Sequence, residues 1–162
     1  NILAICWGMQ VAVTAAGGEV KKAANSNIGI ANEIILSEEG TKHPLYKDKI
    51  QRFNSPAFNF DEVVKLPENA VCLASNKINK IQSLYFELNE SKIWGLQYHP
   101  EITYEKMISL IEFRKDKLIE NRKAFKNIEE IHKHISFIKK EIAVSNKEQR
   151  MIELKNWLDN IN

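Results

Sequence analysis

The chain has 162 residues, the length of one domain or of a small domain with an appendage. Hydrophobic residues make up 44% and charged residues 27%, a globular composition that argues against disorder and collagen-like structure. The 23 basic and 21 acidic side chains give a net charge of +2, too small to indicate a nucleic-acid or membrane partner. No apolar run approaches the roughly 20 residues of a membrane-spanning helix. Two cysteines are too few for a disulfide scaffold and favour a cytoplasmic location.

Composition divides the chain near residue 113. Residues 1–113 contain 11 basic and 13 acidic side chains, whereas residues 114–162 contain 12 and 8. All six glycines and all four prolines precede residue 101. Since glycine and proline mark turns and end helices, we predict an α/β domain over 1–113 and a purely helical extension over 114–162.

The domain begins with a predicted strand and helix. Residues 2–6 form a short apolar run typical of a strand covered on both faces, and apolar residues at helical spacing predict a helix over 9–16. Gly17 and Gly18 are expected to end that helix. Mostly alternating apolar and polar residues then predict five more strands, partly antiparallel, at 34–36, 50–53, 71–75, 81–87 and 93–98.

From Thr103 onward the pattern predicts three amphipathic helices. Thr103 is the expected N-cap of the first, Asn127 and Glu130 form a capping pair for the second, and Ser145 with Glu148 forms a capping box for the third. The apolar stripe of the third consists of Met151, Leu154, Leu158 and Ile161. Short stripes favour packing onto the domain over a coiled coil, but a homo-oligomer or partner surface on the tail is an alternative hypothesis.

The first candidate for chemistry is Cys6, between the predicted strand and helix. A cysteine at a sharp strand-to-helix turn sits in strained backbone with its sulfur exposed, and Gly8 would let the chain turn without a clash. The helix N-terminus would present N–H groups and a partial positive charge, which favours the nucleophilic thiolate. The alternative is a buried core cysteine, the commonest fate of a free thiol.

The second candidate is His99, at the end of the last predicted strand. Pro100 disfavours helical backbone at His99, and Glu101 is close enough in sequence to accept a hydrogen bond from one ring nitrogen. That bond would fix the tautomer and leave the other nitrogen for a thiol. A histidine at a strand end is more often structural, but together with Cys6 it completes a nucleophile, a base and an orienting group.

These motifs resemble those of the class I glutamine amidotransferases. Residues 6–10 (Cys-x-Gly-x-Gln) and 98–101 (Tyr-His-Pro-Glu) match the order and separation of that family's Cys–His–Glu signature. Residues 59–68 resemble a stretch of its GMP-synthase-like branch, and the tail is similar to a helical extension of stand-alone bacterial members. The resemblance covers about residues 2–113. It implies a flavodoxin-like mixed sheet with flanking helices.

The resemblance also implies residue roles. Cys6 is the nucleophile, His99 the base and Glu101 the group that orients it. Substrate contacts are assigned to Trp7, Gln10, Phe58, Asn59 and Phe60. The first of these would donate its backbone N–H to the oxyanion, the second would line the glutamine pocket, and the last three would contact the amino-acid end through their backbone.

Three departures from the family pattern stand out. Ala4 replaces a frequent glycine, and Asn59 occupies a position where the family usually has histidine. The family also places a half-domain before the nucleophile strand, and this half supplies central strands and a second oxyanion donor. Here that strand begins at residue 2, so the chain is expected to be a fragment or a truncated gene product. Because one oxyanion donor is worth about 10²–10³ in turnover, we expect the chain by itself to be a poor enzyme.

The function implied is hydrolysis of the side-chain amide of glutamine through a cysteine thioester, with no metal or organic cofactor. Ammonia would pass to a separate synthetase, or its release would not be the purpose of the reaction. One alternative is a γ-glutamyl hydrolase or peptidase with the same triad. Another is an inactive remnant that serves as a binding subunit. His132 and His134 are two apart on a predicted helix and point to different faces, so they do not indicate a metal site.

Overall fold

The computed structural model describes residues 1–161, which contain eight strands, six α-helices and a short 3₁₀-helix at Pro44–Tyr46. The strands are β1 (Ile2–Ile5), β2 (Glu19–Ile28), β3 (Ala31–Leu36), β4 (Arg52–Ser55), β5 (Phe58–Lys65), β6 (Val71–Ser75), β7 (Ser83–Leu88) and β8 (Ser91–Leu96). The helices are α1 (Trp7–Ala15), α2 (Glu38–Lys42), α3 (Tyr104–Glu120), α4 (Ile128–Val144), α5 (Lys147–Arg150) and α6 (Ile152–Asp159). Within residues 1–161, no helix combines the length and hydropathy needed to cross a bilayer.

Six strands form one mixed sheet in the order β1-β8-β7-β6-β3-β4. β1 runs parallel to β8, and the other neighbours are antiparallel. Helix α1 packs on β1 and β8, where a Cβ at Gly95 would lie 2.7 Å from Met9 Cγ and 2.8 Å from Leu84 Cδ1. Because Gly95 has no side chain, α1 can lie close to the sheet. The strand β1 before Cys6 and the helix α1 after it confirm the predicted strand-to-helix unit.

β2 and β5 form a second, two-stranded antiparallel sheet that the sequence pattern does not predict. In β2 only Ala23, Asn27 and Ile28 are buried, so the strand lacks the apolar alternation that normally identifies one. Each of the six predicted strands is present, with ends displaced by up to three residues.

Helices α3 and α4 pack together and cover the end of the second sheet where Ile28 of β2 pairs with Phe58 of β5. As predicted, the Thr103 hydroxyl caps α3 and the Asn127 side chain caps α4. The buried face of α4 joins α3 in one apolar cluster. Gly29 has φ 81°, and a Cβ there would lie 2.5 Å from Ile138 Cδ1, so this glycine allows α4 to approach. Packing of the tail onto the domain is confirmed for α4. Because α3 continues through residue 113, the division into 1–113 and 114–162 stays a prediction.

The third predicted tail helix is two helices, and its predicted cap is wrong. The Asn146 side chain accepts a hydrogen bond from the Gln149 N–H and caps α5, whereas Ser145 donates back to the Ile142 carbonyl at the end of α4. Asparagine and serine are comparable N-caps. Because Ser145 is already the C-cap of α4, the next residue, Asn146, caps α5.

Helix α6 buries polar side chains, contrary to the predicted apolar stripe. Glu153 and Asn156 are buried, whereas Leu158 is 58% exposed. A Glu153 carboxylate oxygen lies 3.0 Å from the Lys49 ammonium, and both side chains are almost fully buried. The Asn156 amide donates to the Leu45 and Lys47 carbonyls, each at 2.9 Å. The stripe prediction fails because the partners of this polar face lie 55 to 111 residues earlier in the chain.

Candidate active site

Cys6 occupies a sharp turn between β1 and α1. Its φ of 52° and ψ of −110° lie in a region that costs a non-glycine residue about 1–3 kcal/mol. Its N–H donates to the Leu96 carbonyl at 2.6 Å, which ties the turn to the end of β8. Cys6 is the N-cap of α1, so it lies at the end of the helix where the first backbone N–H groups have no partner within the helix. A Cβ at Gly8 would meet nothing within 4 Å, so the steric need expected at that glycine is absent.

Gln97 and Gln10 form a chain of hydrogen bonds that starts at the Cys6 sulfur. Gln97 Nε2 donates to Cys6 Sγ at 3.6 Å. Gln10 Nε2 donates to Gln97 Oε1 and to the Asp61 carbonyl, both at 3.1 Å. Both amide hydrogens of Gln10 are therefore used within the protein. The sequence motifs did not single out Gln97, although it directly precedes the Tyr-His-Pro-Glu segment.

His99 lies beside both Cys6 and Glu101. Its Nδ1 is 2.6 Å from Glu101 Oε1, and its backbone N–H donates to the Pro56 carbonyl at 2.7 Å. Burial disfavours the protonated ring, but hydrogen bonds and charge from Cys6 and Glu101 outweigh burial and raise the His99 pKa to about 9. The two distant motifs meet because β1 and β8 are parallel neighbours, so their carboxyl ends share one edge of the sheet.

Strand β5 runs next to the nucleophile. Cys6 Sγ lies 3.9 Å from the Phe58 carbonyl oxygen, so the backbone of this strand borders the sulfur. The rings of Phe58 and Phe60 pack against the cluster formed by α3 and α4. The Trp7 indole is 74% exposed, which leaves its backbone N–H as the part of the residue relevant to the elbow.

Asn59 belongs to a buried cluster of amide side chains. It accepts a hydrogen bond from Asn27 at 2.9 Å and donates to Asn79 at 3.2 Å, and all three residues are at most 4% exposed. A side chain that both donates and accepts is suited to this position. The Asn59 amide nitrogen donates twice, since it also bonds the Asp61 carbonyl at 3.0 Å, whereas a neutral imidazole has a single N–H donor; this is a physical reason for asparagine where the resembled motif has histidine.

Comparison with known proteins identifies the family of this chain. Residues 1–117 match the family model for glutamine amidotransferase class-I. The chain belongs to this family. The predicted family resemblance is therefore confirmed, and it extends a few residues further into α3 than the sequence motifs indicated.

The relatives of this glutamine amidotransferase chain differ in how much of it they match. It is 31% identical to a γ-glutamyl-L-1-hydroxyisopropylamide hydrolase from Pseudomonas sp., over 97% of the chain and 59% of that protein. It is also 31% identical to a glutamine-hydrolysing GMP synthase subunit from Methanoculleus marisnigri, over 64% of the chain and 53% of that protein. A glutamine amidotransferase structure from Thermotoga maritima superposes with a TM-score of 0.66 at 19% identity, over 97% of the chain and 60% of that structure. The predicted fold class is confirmed, and the chain spans about half to three-fifths of the length of these proteins.

Replacing Glu101 with glutamine should lower the His99 pKa from about 9 toward the ordinary 6.5, since Glu101 supplies a hydrogen bond and a charge that favour the imidazolium. A raised histidine pKa stabilises the folded state fully below about pH 6.5, and this stabilisation is lost as the pH rises through about 9. NMR titration of the His99 ring measures the shift directly. Glu105→Gln, a change on the exposed first turn of α3, is the control. An unchanged His99 titration in Glu101→Gln would contradict the assigned contact.

Proposed function

We propose that the chain carries the cysteine–histidine–glutamate site of a glutaminase, with Cys6 as nucleophile, His99 as acid and base, and Glu101 as the orienting carboxylate. The observation that supports this most is the placement of a strained N-cap cysteine beside a histidine whose Nδ1 lies 2.6 Å from a carboxylate. A nucleophile, a base and an orienting group within reach of one another form the arrangement that acyl transfer requires.

The first half of the reaction forms a thioester. Cys6 Sγ attacks the side-chain carbonyl carbon of glutamine, and the carbonyl oxygen becomes an oxyanion that the Trp7 backbone N–H stabilises. The raised pKa of His99 keeps its ring protonated at neutral pH, so the ring can give a proton to the leaving nitrogen. The carbon–nitrogen bond then breaks, and ammonia leaves.

The second half releases glutamate. The ring of His99, now neutral, takes a proton from water as the water oxygen attacks the thioester carbon. The carbon–sulfur bond breaks, glutamate leaves, and Cys6 returns as thiolate opposite protonated His99. Gln10 and the backbone of Phe58, Asn59 and Phe60 are the proposed substrate contacts. The position of β5 beside the sulfur supports the backbone contacts, and the hydrogen bonds that link Gln10 through Gln97 to the sulfur support Gln10.

A second candidate is hydrolysis of another γ-glutamyl amide by the same three residues. The relative that supports it, the γ-glutamyl-L-1-hydroxyisopropylamide hydrolase, is similar over 97% of this chain, tail included. The GMP synthase relative from Methanoculleus marisnigri is similar over 64%. Attack, proton transfer and thioester hydrolysis are the same in both reactions, and the leaving amine differs.

The proposed partner and the proposed location rest on different observations. A relative named as a subunit of GMP synthase supports an ammonia-accepting synthetase as a separate partner. The free thiols of Cys6 and Cys72 suit a cytoplasmic location. Self-association through the tail stays a prediction, with the exposed Leu158 available for it.

Substrate profiling of the intact protein tests the proposal. We expect glutamine to be hydrolysed with ammonia and glutamate released in equal amounts, measured by coupled assays of both products. Cleavage of γ-glutamyl alkylamides with free glutamine untouched would reverse the order of the two candidates. If neither is cleaved and a glutamine-analogue electrophile labels Cys6 no faster than Cys72, the chain is a binding remnant. Cys72 is a suitable internal control because burial raises the pKa of its thiol.

A further inference from the structure

The tail reaches the segment that carries His99 and Glu101. Arg150, the last residue of α5, donates through Nη1 to the carbonyl of Pro100 and, at 2.9 Å, to that of Ile102. These two carbonyls belong to the residues on either side of Glu101. One guanidinium group therefore holds the backbone on both sides of the carboxylate that contacts His99.

The tail also holds the residue before His99. The Tyr98 side chain is fully buried, and its hydroxyl donates to Glu153 Oε1 at 2.7 Å. The other carboxylate oxygen of Glu153 accepts from Lys49 at 3.0 Å, and the Tyr46 hydroxyl lies 2.8 Å from that of Tyr98. Tyr98 is thus fixed by a buried group that belongs to α6.

Two backbone hydrogen bonds within the domain also involve this segment. The His99 N–H donates to the Pro56 carbonyl, and the Ile102 N–H returns to the His99 carbonyl at 3.2 Å. The Glu101 side chain is 37% exposed, so its 2.6 Å contact with His99 depends on where its backbone lies.

We propose that Arg150 and Glu153 are positioning residues that keep Glu101 and His99 aligned with Cys6. This rests on the proposed function for its effect on turnover, but not for its effect on the geometry. Arg150 holds the backbone of residues that follow His99, and Glu153 holds the side chain of Tyr98, which precedes it. Arg150 lies in α5 and Glu153 in α6. Residues of the tail thereby help to set the geometry of the active site.

The test compares Arg150→Ala with Lys147→Ala in the intact protein. Lys147 is an exposed cation on the same short helix, so its replacement removes the same charge without touching the loop. Arg150→Ala should lower kcat for the hydrolysed γ-glutamyl substrate about 10- to 100-fold, with little change in KM, because small misplacements of catalytic groups have effects of this size. Lys147→Ala should leave kcat unchanged.

A second readout does not need a substrate. Cys6 and Glu101 are the titratable groups that act on His99. A displaced Glu101 should therefore lower the His99 pKa in Arg150→Ala, and NMR titration of the ring measures this. If the intact protein cleaves no γ-glutamyl compound but the His99 titration still shifts, the positioning role stands and the proposed function falls.

Two results would overturn the proposal. One is an Arg150→Ala protein with wild-type kcat and an unchanged His99 titration, even if its melting temperature is lower, since that would be a structural role alone. If Arg150→Ala does not fold, Arg150→Lys decides: it keeps the charge but lacks the planar guanidinium, and an intermediate loss of kcat is expected. A folded Arg150→Lys with wild-type kcat and His99 titration would equally exclude the role.

Discussion

Replacing Cys6 with alanine should reduce hydrolysis of the γ-glutamyl substrate by about 10⁴- to 10⁶-fold, the range found when a catalytic nucleophile is removed. No other group near the elbow supplies a comparable nucleophile in the proposed scheme, so residual turnover would come from water alone. Single-turnover and steady-state assays of ammonia release measure the loss. The fold should be retained, because alanine removes only the contacts of the sulfur with Gln97, Phe58 and His99.

Cys72→Ala is the matched control for this experiment. Cys72 lies in β6, and its thiol donates to the Ala74 carbonyl at 3.4 Å, so its removal should leave turnover unchanged. A Cys6→Ala protein that keeps more than a small percentage of wild-type activity would mean that another group attacks the amide, and the proposed mechanism would have to be abandoned.

Lys49→Met should destabilise the fold by about 3–5 kcal/mol, the usual cost of removing one partner of a buried ion pair. Burial lowers the pKa of Lys49 and raises that of Glu153, whereas attraction between them acts in the opposite direction on both. Without the ammonium, Glu153 would keep the Tyr98 hydroxyl as its side-chain donor. Urea denaturation gives the free energy of unfolding from the midpoint and the m-value.

The chain provides a control for the Lys49 experiment. Lys42 and Glu38 form an exposed ion pair at 2.6 Å, so Lys42→Met should cost no more than about 1 kcal/mol. The double variant Lys49→Met/Glu153→Gln should recover much of the lost stability, because it removes the unpaired charge. A loss in Lys49→Met no larger than that in Lys42→Met would show that the buried pair contributes little.

The parts of the site that the sequence predicts are those set by neighbouring residues. Cys6 follows an apolar run and precedes a helix, and Pro100 restricts the backbone of His99, so each motif carries its own geometry. Their meeting follows from β1 and β8 being parallel neighbours, which the sequence pattern alone does not specify and the family resemblance supplies.

The parts that the sequence does not predict depend on distant partners. β2 is a strand because β5 pairs with it, not because of its own apolar pattern. Glu153 is buried because Lys49 and Tyr98, from distant parts of the chain, pair with it. Without knowledge of these partners, the helical pattern predicts that Leu154 and Leu158 face the core. Gln97 shares its hydrogen bonds with Gln10, a pairing that no local spacing indicates.

The separation between Lys49 and Glu153 has a consequence for biosynthesis. The two residues are 104 positions apart, so a ribosome adds Glu153 about 5–20 s after Lys49 at ordinary elongation rates. Hairpins and helices form in microseconds, which gives the strands ample time to assemble while the Lys49 ammonium is still hydrated. The nascent polypeptide would thus acquire its sheet first and an ordered His99 loop only when the last helix docks.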